Sequence, residues 1–363
     1  MKECRLKDIC IKGSSNLKQK DVEGKKGLYP VYGASGKISS IDIYHQENEY
    51  IAIVKDGSGI GRVSFMPPKS SVIGTMQYIL PKEGYNIRYI GYCLQSLGLN
   101  KYKQGAAIPH IYFRDYGERI VKVSEDIDEQ RRIVSYLDSS FQLIDKIKEK
   151  AQKSLSEAKA LFQSALAEAM EPKEGWEYKK LIDVCDFQGG SQPPKSEWID
   201  HESSGYVRML QIRDFTQSRK VSPEYVKLTN RTKCCFSDDI LIGRYGASLG
   251  KILSGIAGAY NVAIMRTIPN ETLLSKGYLK YYLMSSIFQS FLLNIGGRAA
   301  QAGFNKEDLK CLNIPLTTLD EQSQIVSHLD KLSSNVKQME EKYQKMVEEC
   351  DALKQAMLRD VFE

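Results

Sequence analysis

Asp128-Glu129-Gln130, followed by Ile133-Val134-Ser135, Leu137 and Asp138, returns 192 residues later as Asp320-Glu321-Gln322, Ile325-Val326-Ser327, Leu329 and Asp330. The register holds to the last residue of each copy, where Leu161, Gln163, Leu166 and Glu171 align with Leu353, Gln355, Leu358 and Glu363. Identity between the copies is about two in five, the signature of a structural repeat. Residues 128 to 170 contain neither Gly nor Pro, and Pro172 and Gly175 then end the run. Each copy therefore predicts one long helix, roughly 60 Å at 1.5 Å per residue.

The segments ahead of the helices repeat as well. Asp239-Ile-Leu-Ile-Gly-Arg-Tyr-Gly-Ala-Ser-Leu-Gly-Lys251 stands where Tyr50-Ile-Ala-Ile-Val-Lys-Asp-Gly-Ser-Gly-Ile-Gly-Arg62 stood. Tyr278-Leu-Lys-Tyr-Tyr-Leu-Met284 answers Tyr89-Ile-Gly-Tyr-Cys-Leu-Gln95. Runs 49–54, 62–65 and 71–80 read as strands between Gly and Pro turns, and 87–97 reads as a helix with Ile90, Cys93, Leu94 and Leu97 on one face. The chain thus divides into a β-rich mixed domain over 1–127, a helix over 128–172, a second mixed domain over 173–319 and a second helix over 320–363. This is an α+β fold with an internal pseudo-twofold repeat. Gly33-Ala-Ser-Gly-Lys37 has no close partner in Gly205-Tyr-Val-Arg-Met-Leu-Gln-Ile-Arg213. A shared framework with different loops suits two surfaces of one fold and two specificities.

In the second helix Val336, Met339, Tyr343, Met346, Cys350, Leu353 and Met357 fall three and four apart, an a/d seam. The matching positions of the first helix read Ile144, Ile147, Ala151, Ala158 and Leu161. One seam is bulky and the other smaller, so large side chains can fill what small ones leave. The expectation is an antiparallel coiled coil; the alternative is that each helix packs only on its own domain.

Composition narrows the function classes. No apolar run approaches the ~20 residues needed to cross a bilayer, so no membrane association is expected. The start, Met1-Lys-Glu-Cys-Arg-Leu-Lys-Asp8, has no apolar signal core, which places the expected chain in the cytosol. Eight cysteines form no Cys-x-x-Cys and four histidines do not cluster with them, which argues against zinc and disulfides. Cys10 and Cys185 sit at matching places of the repeat and read as small core residues. The net charge of +6 is unevenly placed: +6 over 1–127, −1 over 128–172, +5 over 173–319 and −4 over 320–363. Basic domains on acidic helices are the electrostatic footprint of a polyanion binder.

No catalytic centre stands out. Gly57-Ser-Gly-Ile-Gly61 and Tyr245-Gly-Ala-Ser-Leu-Gly-Lys-Ile252 look like nucleotide loops, but the first is spaced Gly-x-Gly-x-Gly and continues as strand and turn rather than opening a helix, and the second lacks glycine at the required first position and has Ile252 in the magnesium-binding Ser/Thr place. Ser191-Gln-Pro-Pro-Lys195 looks superficially like the Pro-Pro motif of amino-methyltransferases, yet Gln and Lys replace the amine-holding and base-stacking residues. What remains are basic and amide-bearing loops. The candidate DNA contacts are Lys12, Lys37, Lys55, Arg62, Lys101, Lys103, Gln104 and His110 in the first domain. In the second they are Gln192, Lys195, Arg208, Gln211, Arg213, Arg244, Lys251, Arg298, Gln301 and Lys306. Arg and Gln can pair with guanine and adenine edges, and Lys suits phosphates.

Tyr29-Pro-Val-Tyr-Gly-Ala-Ser-Gly36, Asp239-Ile-Leu-Ile-Gly243 with Gly250-Lys251, Gly297-Arg-Ala-Ala-Gln301 and the two Asp-Glu-Gln helix starts together resemble the specificity subunit of type I restriction-modification systems. The resemblance covers essentially the whole chain. It implies two target-recognition domains reading the halves of a split, asymmetric double-stranded DNA sequence, with the helices as an antiparallel spacer. It also implies docking to two methyltransferase subunits and to restriction/translocase subunits. S-adenosylmethionine, ATP and Mg would be used by those partners, and no cofactor and no catalysis would belong to this chain. The first domain has Gly105-Ala-Ala-Ile-Pro109 where the second has Gly297-Arg-Ala-Ala-Gln301, so single contacts do not carry over there. Two rival classes are a self-contained adenine-N6 DNA methyltransferase, which needs a cofactor loop and an intact Pro-Pro motif, and a coiled-coil protein-binding scaffold.

Overall fold

The computed structural model describes residues 1–105, 109–217, 221–296 and 303–363. Two compact units emerge: Met1–Gln152 with Lys342–Glu363, and Lys153–Glu341.

The first unit is built on a four-stranded antiparallel sheet in the order Cys10–Ser14, Met76–Pro81, Tyr50–Val54, Val63–Met66. Tyr50–Val54 is buried along its whole length, which is why its sequence is apolar without alternation. The helix Ile87–Ser96 packs Tyr89, Ile90, Cys93 and Leu94 against Leu6, Ile51, Ile53 and Ile79. Gly91 lets it approach, since a Cβ there would lie 2.1 Å from the Phe65 ring. A three-stranded sheet orders Gly36–Ile41, Tyr29–Gly33 and Ser71–Val72, the last pair parallel. The run 71–80, expected as one strand, is two short strands in different sheets. The chain turns at Gly74, whose N–H donates to Leu17 O at 2.7 Å.

The second unit repeats this plan. Its four-stranded sheet orders Cys185–Gly189, Ile264–Pro269, Leu241–Gly243 and Ile252–Leu253. A second sheet orders Tyr225–Lys227, Tyr206–Leu210, Gly258–Tyr260 and Cys234–Cys235, again with one parallel pair. The ribbon of Glu177–Lys180 with Asn313–Leu316 matches that of Lys2–Arg5 with Ile120–Val123. Cys10 and Cys185 are both buried core residues, and burial pushes each thiol up to about 12.

The two long helices span Ile127–Ala169 and Leu319–Phe362. Within the first unit their portions run antiparallel: Lys148 meets Asp351 at 2.9 Å and Lys354 meets Asp145 at 2.6 Å. Val134 and Leu137 share a core there with Met357, Leu358 and Phe362. Within the second unit Lys159 pairs with Glu340, and Phe162, Leu166 and Met170 share a core with Leu329, Leu332 and Val336.

The seam of the first helix differs from the sequence expectation. The inward positions are Leu137, Phe141, Ile144, Lys148, Ala151, Leu155, Ala158 and Phe162, alternating four and three. Ile147 and Leu161 lie on the outer face, 44% and 62% exposed. The sequence expectation carried the second helix's seam across the repeat, which joined Ile144 to Ala151 through Ile147 and left the charged Lys148 out. In the structure its alkyl stem takes the inner place while its ammonium reaches Asp351. The same substitution of a lysine stem for an aliphatic residue occurs in the second helix, where Leu353 is half exposed and Lys354 faces inward. Met339, Tyr343 and Met346 are half-buried on the inner face.

Candidate nucleic-acid interface

In the first unit three loops converge. The turn after Tyr50–Val54 lies against Gln104 and residues 109–111. Gly57 N–H donates to Pro109 O, Ile111 N–H donates to Lys55 O, and Gln104 and His110 exchange both backbone hydrogen bonds. The same turn abuts the Leu99–Tyr102 helical turn, since a Cβ on Gly61 would sit 2.5 Å from Asn100 N. The Arg62 guanidinium then reaches the 33–36 hairpin turn, donating to Ala34 O at 2.9 Å. Lys55, Arg62, Lys101, Lys103, Gln104 and His110 are thereby carried on one set of adjoining loops, with Lys37 on the hairpin beside it. Lys12 is exposed on the Cys10–Ser14 strand, and none of these hydrogen bonds ties it to the group. His110 holds Asp56 at 2.5 Å and stacks near Tyr112, and Gln104 donates to Asp115 at 2.9 Å.

The second unit repeats the convergence with other side chains. The turn 244–251 closes back on itself through Gly250 N–H to Gly243 O, and Tyr245 bridges to Gly303. Arg244 donates to Phe304 O and Val262 O at 3.3 Å each and lies over the Tyr245 ring. Lys306 pairs with Asp186, which holds that carboxyl below the usual carboxylate range. Lys251 is exposed at the end of the same turn. Arg298 and Gln301 lie outside the described residues.

A second locus in this unit forms around Glu224. Lys195, Arg213 and Gln211 all reach its carboxylate, and the hydrogen bond from Lys195 leads in holding it below the ordinary value of 4.5. Lys195 also lies 4.0 Å above the Trp198 ring. Gln192 borders an adjoining cleft of about 460 Å³ with Pro193, Pro194, Lys227 and Arg231. Arg208 behaves differently: its guanidinium is committed to the buried Asp214 at 2.8 Å, and the other Asp214 oxygen accepts from Gln211 N–H.

The candidates therefore separate physically. Among the described residues, Lys12, Lys37, Lys103, Gln192 and Lys251 are exposed with no ion pair or side-chain hydrogen bond, so they can meet a phosphate without breaking anything. Arg208 holds a buried carboxylate and would have to abandon it. Sequence reading missed Tyr112, Trp198 and Tyr245, whose rings lie beside His110, Lys195 and Arg244. The available signal was an aromatic within three residues of each basic candidate.

The glycine-rich turns do not fit a nucleotide. Gly57–Gly61 joins two strands, and 244–251 joins two strands through the single turn Gly246–Ser248. Neither presents a helix N-terminus to an anion. Among the described residues no group of three His, Cys, Asp or Glu side chains is placed to hold a metal ion. No helix there is long and apolar enough to cross a membrane.

Comparison with known proteins agrees with the duplicated plan. The chain matches the family described as the type I restriction modification DNA specificity domain twice, over residues 1–156 and 173–349. It is 24% identical over 192 residues to the type I restriction enzyme MjaVIII specificity subunit of Methanocaldococcus jannaschii, covering 52% of this chain and 42% of that one. It is 24% identical over 185 residues to the EcoBI specificity subunit of Escherichia coli, covering 50% and 34%. The matched region is thus less than half the length of these relatives. Among solved structures, a chain of a type I R-M system studied for complex assembly and conformational transition superposes with a TM-score of 0.75. Its identity is 18%, with 98% of this chain and 96% of that chain covered. The HsdS subunit from Thermoanaerobacter tengcongensis gives 0.52 at 19% identity, with 98% and 95% covered. The chain belongs to the type I restriction modification DNA specificity domain family.

Proposed function

From that membership we propose that this chain is the sequence-reading subunit of a type I restriction-modification complex. Residues 1–127 and 173–319 are its target-recognition domains, and helices 128–172 and 320–363 form the spacer. Each domain reads one half of a split duplex target, and their dissimilar loops make the target asymmetric. The observation that carries the reading is the repeated convergence of loops: in both units the turn after the central strand meets a later segment and carries basic side chains, yet the side chains differ. Lys37, Lys103, Gln192 and Lys251 are the contacts that need no rearrangement; Arg62, His110, Arg213, Arg244 and Lys306 would exchange a protein partner for DNA. Two methyltransferase subunits and restriction/translocase subunits are the proposed partners, working in the cytosol. S-adenosylmethionine, ATP and Mg act in them, and the chain is not itself an enzyme.

Salt dependence separates this reading from a protein-binding scaffold. With about six phosphate contacts, affinity of the methyltransferase-bound complex for its duplex should fall roughly 10³-fold between 50 and 200 mM salt. A titration by fluorescence anisotropy measures this directly; binding indifferent to salt would favour the scaffold. Methyl transfer by the purified chain alone would favour the enzyme.

A further inference from the structure

Gln130 and Gln322 occupy the same place in the repeated helix starts, and both are fully buried although the residues that follow them, Arg131 and Ser323, are exposed. A buried amide must place both of its ends on partners. Gln130 Oε1 accepts the Asn86 N–H at 2.7 Å, and its Nε2 donates to Gly84 O at 3.1 Å and Ser124 O at 2.9 Å. Gln322 makes the same three bonds: Oε1 accepts Ser275 N–H at 2.9 Å, and Nε2 donates to Leu273 O at 2.8 Å and Thr317 O at 3.0 Å. Asn86 and Ser275 are themselves the N-caps of the domain helices Ile87–Ser96 and Lys276–Met284. Each glutamine therefore ties three things at one point: the start of a long helix, the segment that feeds it, and the N-terminus of its domain's helix.

A second tie lies eight residues further along each long helix, about 12 Å away. Tyr92 donates its hydroxyl to Asp138 in the first unit, and Tyr281 donates to Asp330 at 2.5 Å in the second. Two ties separated along an axis fix an angle; one tie leaves a pivot. The loops of the two domains have diverged while both ties have stayed the same.

We infer that Gln130 and Gln322 are positioning residues that set the angle of each target-recognition domain on its own helix, and so the number of unread base pairs that the complex accepts between half-sites. This rests on the DNA-reading function proposed above. Neither glutamine touches DNA. A glutamate in its place keeps the acceptor for Asn86 or Ser275 but turns an oxygen toward two carbonyls with no donor between them, which opens the joint while leaving the domain cores intact.

The test uses the chain assembled with its methyltransferase subunits, carrying Q130E or Q322E, with exposed Asp128→Ala as control. Two readouts are taken. Hydrogen exchange at the Asn86 and Ser275 amides should quicken roughly tenfold in the respective variant. Adenine methylation on a library of duplexes should keep both half-site sequences while sites with the gap one base pair longer or shorter rise about tenfold relative to wild type. If a glutamate variant does not fold, Q130N or Q322N, which keep the amide but are one methylene short, are read the same way. Retained half-sites with an unchanged gap preference would overturn the inference, and so would unchanged exchange at both amides. A wild-type complex that shows no split motif would instead defeat the DNA-reading function, and the exchange experiment would still decide whether the glutamines hold the joint.

Discussion

At the residue scale the decisive distinction is between cations that are spoken for and cations that are not. Arg208 faces Asp214, which is 2% exposed, so removing it leaves a buried carboxylate short of its charged partner. Arg208→Ala should cost about 2–3 kcal/mol, seen as a lower Tm. Lys251 has no such debt: Lys251→Ala should leave the Tm within about 1 °C, weaken duplex binding, and reduce the salt slope by about 1. A stability loss at Lys251 equal to that at Arg208 would place both in the framework. Sequence alone made these two residues look alike. Burial decides between them, and a basic residue's burial depends on a carboxylate six positions away folding under it. Cys10 and Cys185 were legible because the repeat displayed them twice in an apolar setting.

At the element scale the long helices were legible, since forty residues without Gly or Pro permit little else, and their antiparallel pairing was legible from the duplicated order of domain and helix. The seam was half legible. Apolar pattern found Ile144, Ala151 and Ala158 but passed over Lys148, Leu155 and Phe162, because a lysine stem interrupts the apolar series that would have fixed the frame. The observed frame makes a sharp contrast. Leu155 is buried and Leu161 exposed, so Leu155→Ala should cost about 2–5 kcal/mol and Leu161→Ala under about 0.5 kcal/mol. Ala158→Leu, which overfills an inner position, should cost roughly 1–3 kcal/mol. Thermal unfolding of the three variants checks the frame; equal losses at Leu155 and Leu161 would restore the frame read from the apolar pattern. The strand 71–80 was misjudged for a related reason. Its residues are uniformly strand-forming, and the switch between sheets at Gly74 depends on Leu17, a distant partner that local pattern cannot report.

At the scale of the whole molecule, duplication explains most of what is seen. Each unit carries a matching four-stranded sheet, a matching domain helix and the same glutamine at the joint with a long helix, while the second sheets and the loops that bear free cations differ between units. That division assigns the repeated parts to geometry and the divergent parts to recognition. It also accounts for the charge balance, in which the surplus of Lys and Arg belongs to the domains and the surplus of Asp and Glu to the helices. The most direct measurement is genome-wide mapping of adenine methylation in cells expressing this chain with its neighbouring methyltransferase. The expected result is a single motif of two unlike blocks separated by a fixed unread gap, lost when this chain is omitted. A motif with one specified block, or the same methylation without the chain, would contradict the assignment of two readers to its two domains.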